Sequence, residues 1–330
     1  MATVKNYLSL IKFSHTIFAM PFAMIGFVLG IFGTDMRFKL HNIFYPSQNN
    51  YEWFSFSTEK LLKSPENDFV QLFPSLTFKQ LYFLLVLVIL CMVFARSAAM
   101  AFNRWLDAKY DARNPRTAVR EIPLGIIKPQ YALAFTIVCC LLFIVCCYFI
   151  NKKCFYLSPV ALFVILFYSY TKRFTAFCHL VLGVGLSLAP IGAYIAVANQ
   201  FALLPVLFSI IVFCWVSGFD IIYALQDEQF DKENKLHSIP AAIGKVKALR
   251  ASELLHLLSA ACVVYAGIYG GFGIWYWIGV AIFIGLLIYQ HLLVKPADLS
   301  KVNMAFFTTN GIASVVFAIF VITDLFLHFL

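Results

Sequence analysis

Acidic side chains recur at helical spacing in two places along this chain. The first run, N-R-W-L-D-A-K-Y-D, sets Asn103, Asp107 and Asp111 four residues apart. The second, D-I-I-Y-A-L-Q-D-E-Q-F-D, contains Asp220, Tyr223, Asp227 and Asp231. At 3.6 residues per turn, each set falls along one face of a helix. Carboxylates are hard oxygen ligands, and Mg²⁺ bound by only a few of them keeps positions open for phosphate oxygens. Two such rows on neighbouring helices would hold Mg²⁺ and, through it, a diphosphate. That is chemistry suited to ionising a lipid diphosphate at a membrane surface.

Basic residues surround both rows. A diphosphate carries roughly three negative charges, so metal and cationic side chains must share its neutralisation. Arg116 and Arg120 follow the first acid row, and Lys172 and Arg173 lie in Y-S-Y-T-K-R-F-T. Arg113, Lys128, Lys245 and Lys247 read as topology-setting charges. Arg96 differs because it lies inside an apolar stretch, seven residues before Asn103 on the same helix face. Its natural partners are a buried Asp or a substrate carboxylate. Asn103 offers a neutral oxygen in line with two acids, to fill a Mg²⁺ position or orient a phosphate oxygen. Asp220 sits two turns before Asp227, where it either joins the site or holds a basic side chain. Tyr223 supplies an oxygen or a π face toward a cation. His15 early in the chain, and His237 and Ser238 in a polar loop, are weaker cavity and lid candidates.

The elements that must position these groups are membrane helices. The chain has 330 residues, 62% hydrophobic and only 12% charged, with 36 phenylalanines. A soluble domain cannot bury that much apolar surface, so the expected fold is an all-α polytopic membrane protein. Nine stretches are long enough to span: 12–33, 81–102, 130–150, 154–171, 176–199, 201–223, 250–270, 273–294 and 303–326. Most of the 25 Lys and Arg then fall on the side of the N-terminus, which makes that side cytoplasmic and the C-terminus external. Both acid rows end up at cytoplasmic helix ends. The net charge of +9 suits anionic lipid headgroups and an anionic substrate, with no nucleic acid required. A cleavable signal peptide is not expected, since the first apolar stretch is too long for one.

One membrane domain over 1–330 accounts for the whole length, with a non-cytoplasmic insertion at 34–80. Each acid row ends an apolar helix and runs into a basic loop, bounded by Pro115 and Pro123 in the first case and Pro240 and Gly244 in the second. The nine cysteines sit in apolar surroundings without histidine company, and read as small hydrophobes rather than zinc ligands. No nucleophile elbow, glycine-rich phosphate loop or basic nucleic-acid stripe is present. An ion-coupled transporter is the alternative in another class. Its acids would be expected near the bilayer midplane at broken helices, not at helix ends beside basic loops.

N-R-x-x-D-x-x-x-D after an Arg-containing second span, with D-x-x-Y-A-x-x-D-x-x-x-D after the sixth, resembles the paired aspartate motifs of the UbiA-type intramembrane prenyltransferases. K-R-F-T after the fourth span and R-x-x-P-x-G at Arg120–Gly125 agree with it. The stretch I-K-F-S-H-T-I-F-A-M-P-F-A looks most like the 4-hydroxybenzoate polyprenyltransferase branch. The resemblance implies a nine-helix bundle around a central cavity with a cytoplasmic cap. It also implies transfer of a polyprenyl group from its diphosphate to an aromatic acceptor in quinone biosynthesis. Asn103, Asp107, Asp111, Asp227 and Asp231 would then bind Mg²⁺ and diphosphate. Lys172 and Arg173 would steady the leaving group, and Arg96 would orient the acceptor.

Overall fold

A computed structural model describes residues 3–11, 19–44 and 78–329, and every regular element among them is helical. His15 and most of the 34–80 stretch lie outside the described residues. The chain opens with α1 (Val4–Leu10) and α2 (Met20–Phe44), then α3 (Phe78–Leu106) and the single turn α4 (Ala108–Asp111). There follow α5 (Pro129–Ile150), α6 (Lys152–Thr171), α7 (Cys178–Ala198), α8 (Leu203–Ala224), a 3₁₀ turn at Leu225–Asp227 and the short α9 (Glu228–Glu233). The last elements are α10 (Ile239–Gly270), α11 (Ile274–Leu293), a π-helical turn at Met304–Thr309 and α12 (Asn310–Phe329).

Among the described residues, eight helices are long and apolar enough to cross a membrane, and they match eight of the nine expected spans. Of the first expected span, the described part contributes the shorter apolar helix Met20–Phe32. One boundary differs clearly. The segment before residue 250 reads as a loop interrupted by Pro240, yet α10 begins at Ile239. The reason is local. Ser238 accepts from the Ala241 amide as N-cap, and proline in the first turn lacks only an N–H that has no helical partner anyway. Gly244 (φ 78°) then kinks the helix. The hinge between α5 and α6 works similarly, since Asn151 caps α6 by accepting from the Cys154 amide at 2.8 Å.

α8 packs against α7 and α10, α2 lies on α7, and α3 is backed by α5 and α6. α11 and α12 pair with each other, and α12 returns to α2. Their shared core holds Phe22, Phe208, Trp215, Phe283 and Phe317, all without exposure. Two close approaches need glycine. A Cβ on Gly26 would collide with the Pro190 backbone, and one on Gly183 with Ser217 and the Phe213 carbonyl. Elsewhere the long helices expose many large apolar side chains outward, among them Leu141, Phe163, Leu257 and Leu292. Such faces require a hydrocarbon solvent.

Candidate active site

Two chambers meet inside the bundle. One, of about 260 Å³, is lined by Asn103, Asp107, Asp111, Asp220, Tyr223 and Asp227, with Arg96, Arg104, Arg116, Arg120 and Lys172 also on its wall. The other, of about 310 Å³, is walled mainly by aliphatic and aromatic side chains from α3, α5, α6 and α7. Arg96, Tyr168, Leu182 and Leu186 line both and so mark the junction.

The first acid row stays on one line across a small break. α3 ends at Leu106, but Asp107 N still bonds Asn103 O and Asp111 N bonds Asp107 O, so the spacing of four is preserved. The Asn103 side chain donates to Asp107 at 3.1 Å. In the second row the register changes. The 3₁₀ turn at Leu225–Asp227 tightens the helix, and Asp231 on α9 turns away from the cavity. Asp231 is fully buried, with Oδ1 at 2.7 Å from Lys172 Nζ and Oδ2 accepting from Ser238 at 2.8 Å. The expectation that it faces the same space as Asp227 therefore does not describe its position.

Asp107, Asp111, Asp227 and Asp231 are each matched by an Arg or Lys. Arg116 reaches Asp227 through Nε at 3.1 Å and through Nη2, while its Nη1 donates to Tyr223 at 2.8 Å. Arg120 Nη1 contacts both Asp111 oxygens, at 2.7 and 2.8 Å. Arg173 spans from the Leu106 carbonyl to Asp107, the latter at 3.3 Å, and lies behind the wall rather than on it. These pairs tie the loop after α4 to α8, and the α6–α7 connection to α3 and α9. The loops thereby form a cap over the polar chamber. Among the described residues, no three His, Cys, Asp or Glu side chains converge as a ready metal cluster. The arginines and Lys172 occupy the carboxylates instead, because opposite charges in a partly dry chamber pair with whatever is nearest.

Electrostatics at the helix ends follow from this pairing. Burial, then the neighbouring Asp111 charge, raise the Asp107 pKa above the ordinary aspartate value, and Lys172 and Arg173 only partly oppose them. Burial disfavours the Lys172 charge, but Asp231 outweighs it and holds the lysine pKa above its usual value. Arg116 behaves alike, with burial opposed by Asp227 and Tyr223.

The residues suit a Mg²⁺–diphosphate unit. The donor set is hard oxygen, with Asn103, Asp107 and Asp111 of the first row and Asp220 and Asp227 of the second lining one chamber. Arg96 Nε and Arg104 Nη1 are buried without a hydrogen-bond partner, the condition expected of donors that await an anion. Arg96 has no acid partner among the described residues. Sequence reasoning missed Arg104, Asn114 and His179. Asn114 donates to Asp227 at 3.2 Å and accepts from the Arg116 amide at 3.0 Å, so it sets the loop that carries Arg116. His179 pairs with Asp220 at 2.7 Å. An N-P-R triplet after an acid row signals Asn114; nothing in sequence spacing signals His179.

Residues 74–312 match the model of the UbiA prenyltransferase family. The chain belongs to that family. A 4-hydroxybenzoate octaprenyltransferase from Francisella tularensis subsp. tularensis is 30% identical over 74% of this chain and 85% of its own length. Another from Nitrosomonas europaea is 30% identical over 74% and 83%. Among solved structures, the apo UbiA homolog from Aeropyrum pernix K1 is similar with a TM-score of 0.72 at 26% identity, covering 94% of this chain and 98% of that one. A UbiA homolog from Archaeoglobus fulgidus bound to GPP and Mg²⁺ has a TM-score of 0.64 at 17% identity, over 97% and 99%. The protein is accordingly an integral membrane enzyme of prenyl transfer, and the all-helical fold read from its sequence is the fold of this UbiA family. The transporter alternative falls with this assignment.

Proposed function

We propose that this enzyme carries out Mg²⁺-dependent transfer of a polyprenyl group from its diphosphate to an aromatic acceptor, 4-hydroxybenzoate or a related precursor, in ubiquinone or menaquinone biosynthesis. The observation that carries this reading is the junction of the chambers. A charged chamber sized for a metal-bound diphosphate opens onto an apolar one fit for an isoprenoid chain, and a guanidinium without an acid partner stands between them. The names of the relatives from Francisella and Nitrosomonas favour the hydroxybenzoate acceptor, and the GPP- and Mg²⁺-bound Archaeoglobus homolog favours the donor and metal.

Asn103, Asp107, Asp111 and Asp227 would hold Mg²⁺, which on binding draws electron density from the diphosphate and eases departure of the leaving group. With Mg²⁺ held by these carboxylates, Arg116 and Arg120 would be free to meet phosphate oxygens, and Lys172 would add its charge from the chamber wall. Asp231 stands behind Lys172 and keeps it at the cavity wall. Arg173 fixes the end of α3 through the Leu106 carbonyl. Tyr223 stays under Arg116, whose guanidinium carbon lies 5.2 Å from the ring centroid. With the charge on the departing diphosphate stabilised, the allylic C–O bond ionises. The apolar wall keeps water from the allylic cation until the acceptor ring attacks it. Arg96 binds the acceptor carboxylate and so presents the ring carbon next to the phenol oxygen. The enzyme acts as one domain with an external insertion at 34–80. It would lie in the bacterial inner membrane with the N-terminus and site cytoplasmic and the C-terminus outside.

The test is a reconstituted assay with a prenyl diphosphate, 4-hydroxybenzoate, and Mg²⁺ or EDTA. Metal-dependent prenylated hydroxybenzoate is the expected product. Product only with a naphthoate or another acceptor would refute the acceptor, and no product with any acceptor in well-inserted protein would refute the reading as a whole.

A further inference from the structure

One acid in the polar chamber stands apart from the cation-matched rows. Asp220 has no Lys or Arg partner among the described residues; its only ion-pair neighbour is His179, with Oδ2 at 2.7 Å from the imidazole Nδ1. A carboxylate can only accept, so the hydrogen between them belongs to Nδ1. The two side chains differ in access. His179 is 5% exposed and its Nε2 is enclosed without a partner, while Asp220 is 20% exposed on the chamber wall. The carboxylate is therefore in front and the imidazole behind it. Asp220 also lies seven residues before Asp227 on α8, about 10 Å deeper at 1.5 Å per residue. Arg96 and Tyr168, which mark the junction of the chambers, line the same chamber as Asp220.

Substitution on an aromatic ring needs a group to take a proton. We propose that Asp220 is that group, and that His179 is the positioning residue that holds its carboxylate toward the ring. This assignment rests on the aromatic prenyl transfer proposed above. A ring electron pair forms the bond to the allylic carbon, while the electrons of the broken C–O bond leave with the diphosphate. The C–H bond at the substituted carbon then breaks, its electrons restore the aromatic ring, and the proton passes to the Asp220 oxygen not bonded to His179. No oxidant or reductant enters. The protonated ring is a strong acid, so any carboxylate is basic enough, and position decides which one acts. Asp107, Asp111 and Asp227 have their lone pairs engaged by arginines or metal. His179 Nε2 is walled in. Among the described acids of this chamber, Asp220 combines an oxygen outside any Lys or Arg pair with a place on the wall it shares with Arg96, which would anchor the acceptor.

Two isotopic readouts on the full chain in vesicles separate proton removal from ionisation. The donor carries ¹⁸O in the bridging position, and its migration to non-bridging positions reports reversible C–O cleavage. The acceptor carries deuterium at the carbon that is substituted. For Asp220→Asn, product formation is expected to fall about 10²–10⁴-fold, the range for loss of a positioned proton acceptor. The ¹⁸O migration should persist, and a primary deuterium isotope effect should emerge that the parent lacks. His179→Gln, which keeps an N–H donor, should lose less than His179→Ala, and both should show the isotope effect. These His179 variants carry the same test if Asp220→Asn does not insert. Turnover at the parent rate, loss of ¹⁸O migration together with product, or an unchanged isotope effect would each overturn the assignment. A parent enzyme with neither migration nor Mg²⁺-dependent product would instead remove the prenyl-transfer reading, and this assignment with it.

Discussion

Asp231 belongs to the sequence motif but lies outside the cavity, and that difference is measurable. Its two oxygens are used by Lys172 at 2.7 Å and Ser238 at 2.8 Å, and the residue has no exposure. At 2.7 Å and an effective dielectric of about 20, the gross attraction is about 6 kcal/mol. Desolvation offsets much of this, and removing one partner of a buried pair costs about 3–5 kcal/mol because the other is left unmatched. The Lys172 side chain is 32% exposed to the chamber, so the lower end, about 3 kcal/mol, applies. Asp231→Asn and Lys172→Met should each destabilise the protein by about that amount, in denaturant titrations of purified protein in one detergent. Asp231→Leu combined with Lys172→Met should cost clearly less than the two single changes together, since no buried charge is stranded. Asp231→Asn should also retain Mg²⁺ binding, read by titration without turnover. A loss of Mg²⁺ affinity with unchanged stability, or strictly additive single effects, would show that Asp231 is a metal ligand and that the pair carries no structural weight.

Further outcomes follow from the same geometry. Asp107→Asn and Asp227→Asn should abolish turnover while the protein still inserts and purifies; near-normal activity in both would remove the metal site. Because burial and Asp111 raise the Asp107 pKa, this carboxylate takes up its proton at a higher pH than an ordinary aspartate, and a metal must then displace it. Half-saturating Mg²⁺ should therefore rise as pH is lowered, at a higher pH than an ordinary aspartate would give, and Asp107→Asn should abolish that pH dependence in a binding titration. Arg96→Ala should raise the KM for a carboxylated acceptor with little change in that for the prenyl diphosphate, and a change confined to the diphosphate would refute the role given to Arg96.

Much of this enzyme is set by short-range pattern. Apolar runs long enough for a bilayer specify membrane helices whatever surrounds them, so eight of the nine expected spans appear, with ends shifted by a few residues except at the start of α10. Asn103, Asp107 and Asp111 were legible as a set because the helical hydrogen bonds persist through Asp107. The same logic misplaced Asp231, since a 3₁₀ turn of three residues rotates everything after it, and spacing alone does not report such a turn. It also left Pro240 in a polar loop, where the Ser238 cap makes it part of a helix start.

What the sequence could not decide is partnership. Whether Arg116 meets Asp227, Arg120 meets Asp111, or Lys172 meets Asp231 depends on how loops from different helices fold over one chamber. Each cation has several acids within possible reach, and only packing selects one. The same holds for His179 and Asp220, 41 residues apart and joined because α7 and α8 pack side by side. Residue types and helical spacing fixed the chemistry available to this protein, because both are local. The pairing of charges, the place of the apolar chamber and the acid left without a Lys or Arg partner came from tertiary structure, because electrostatic partners and cavities exist only once distant helices share a wall.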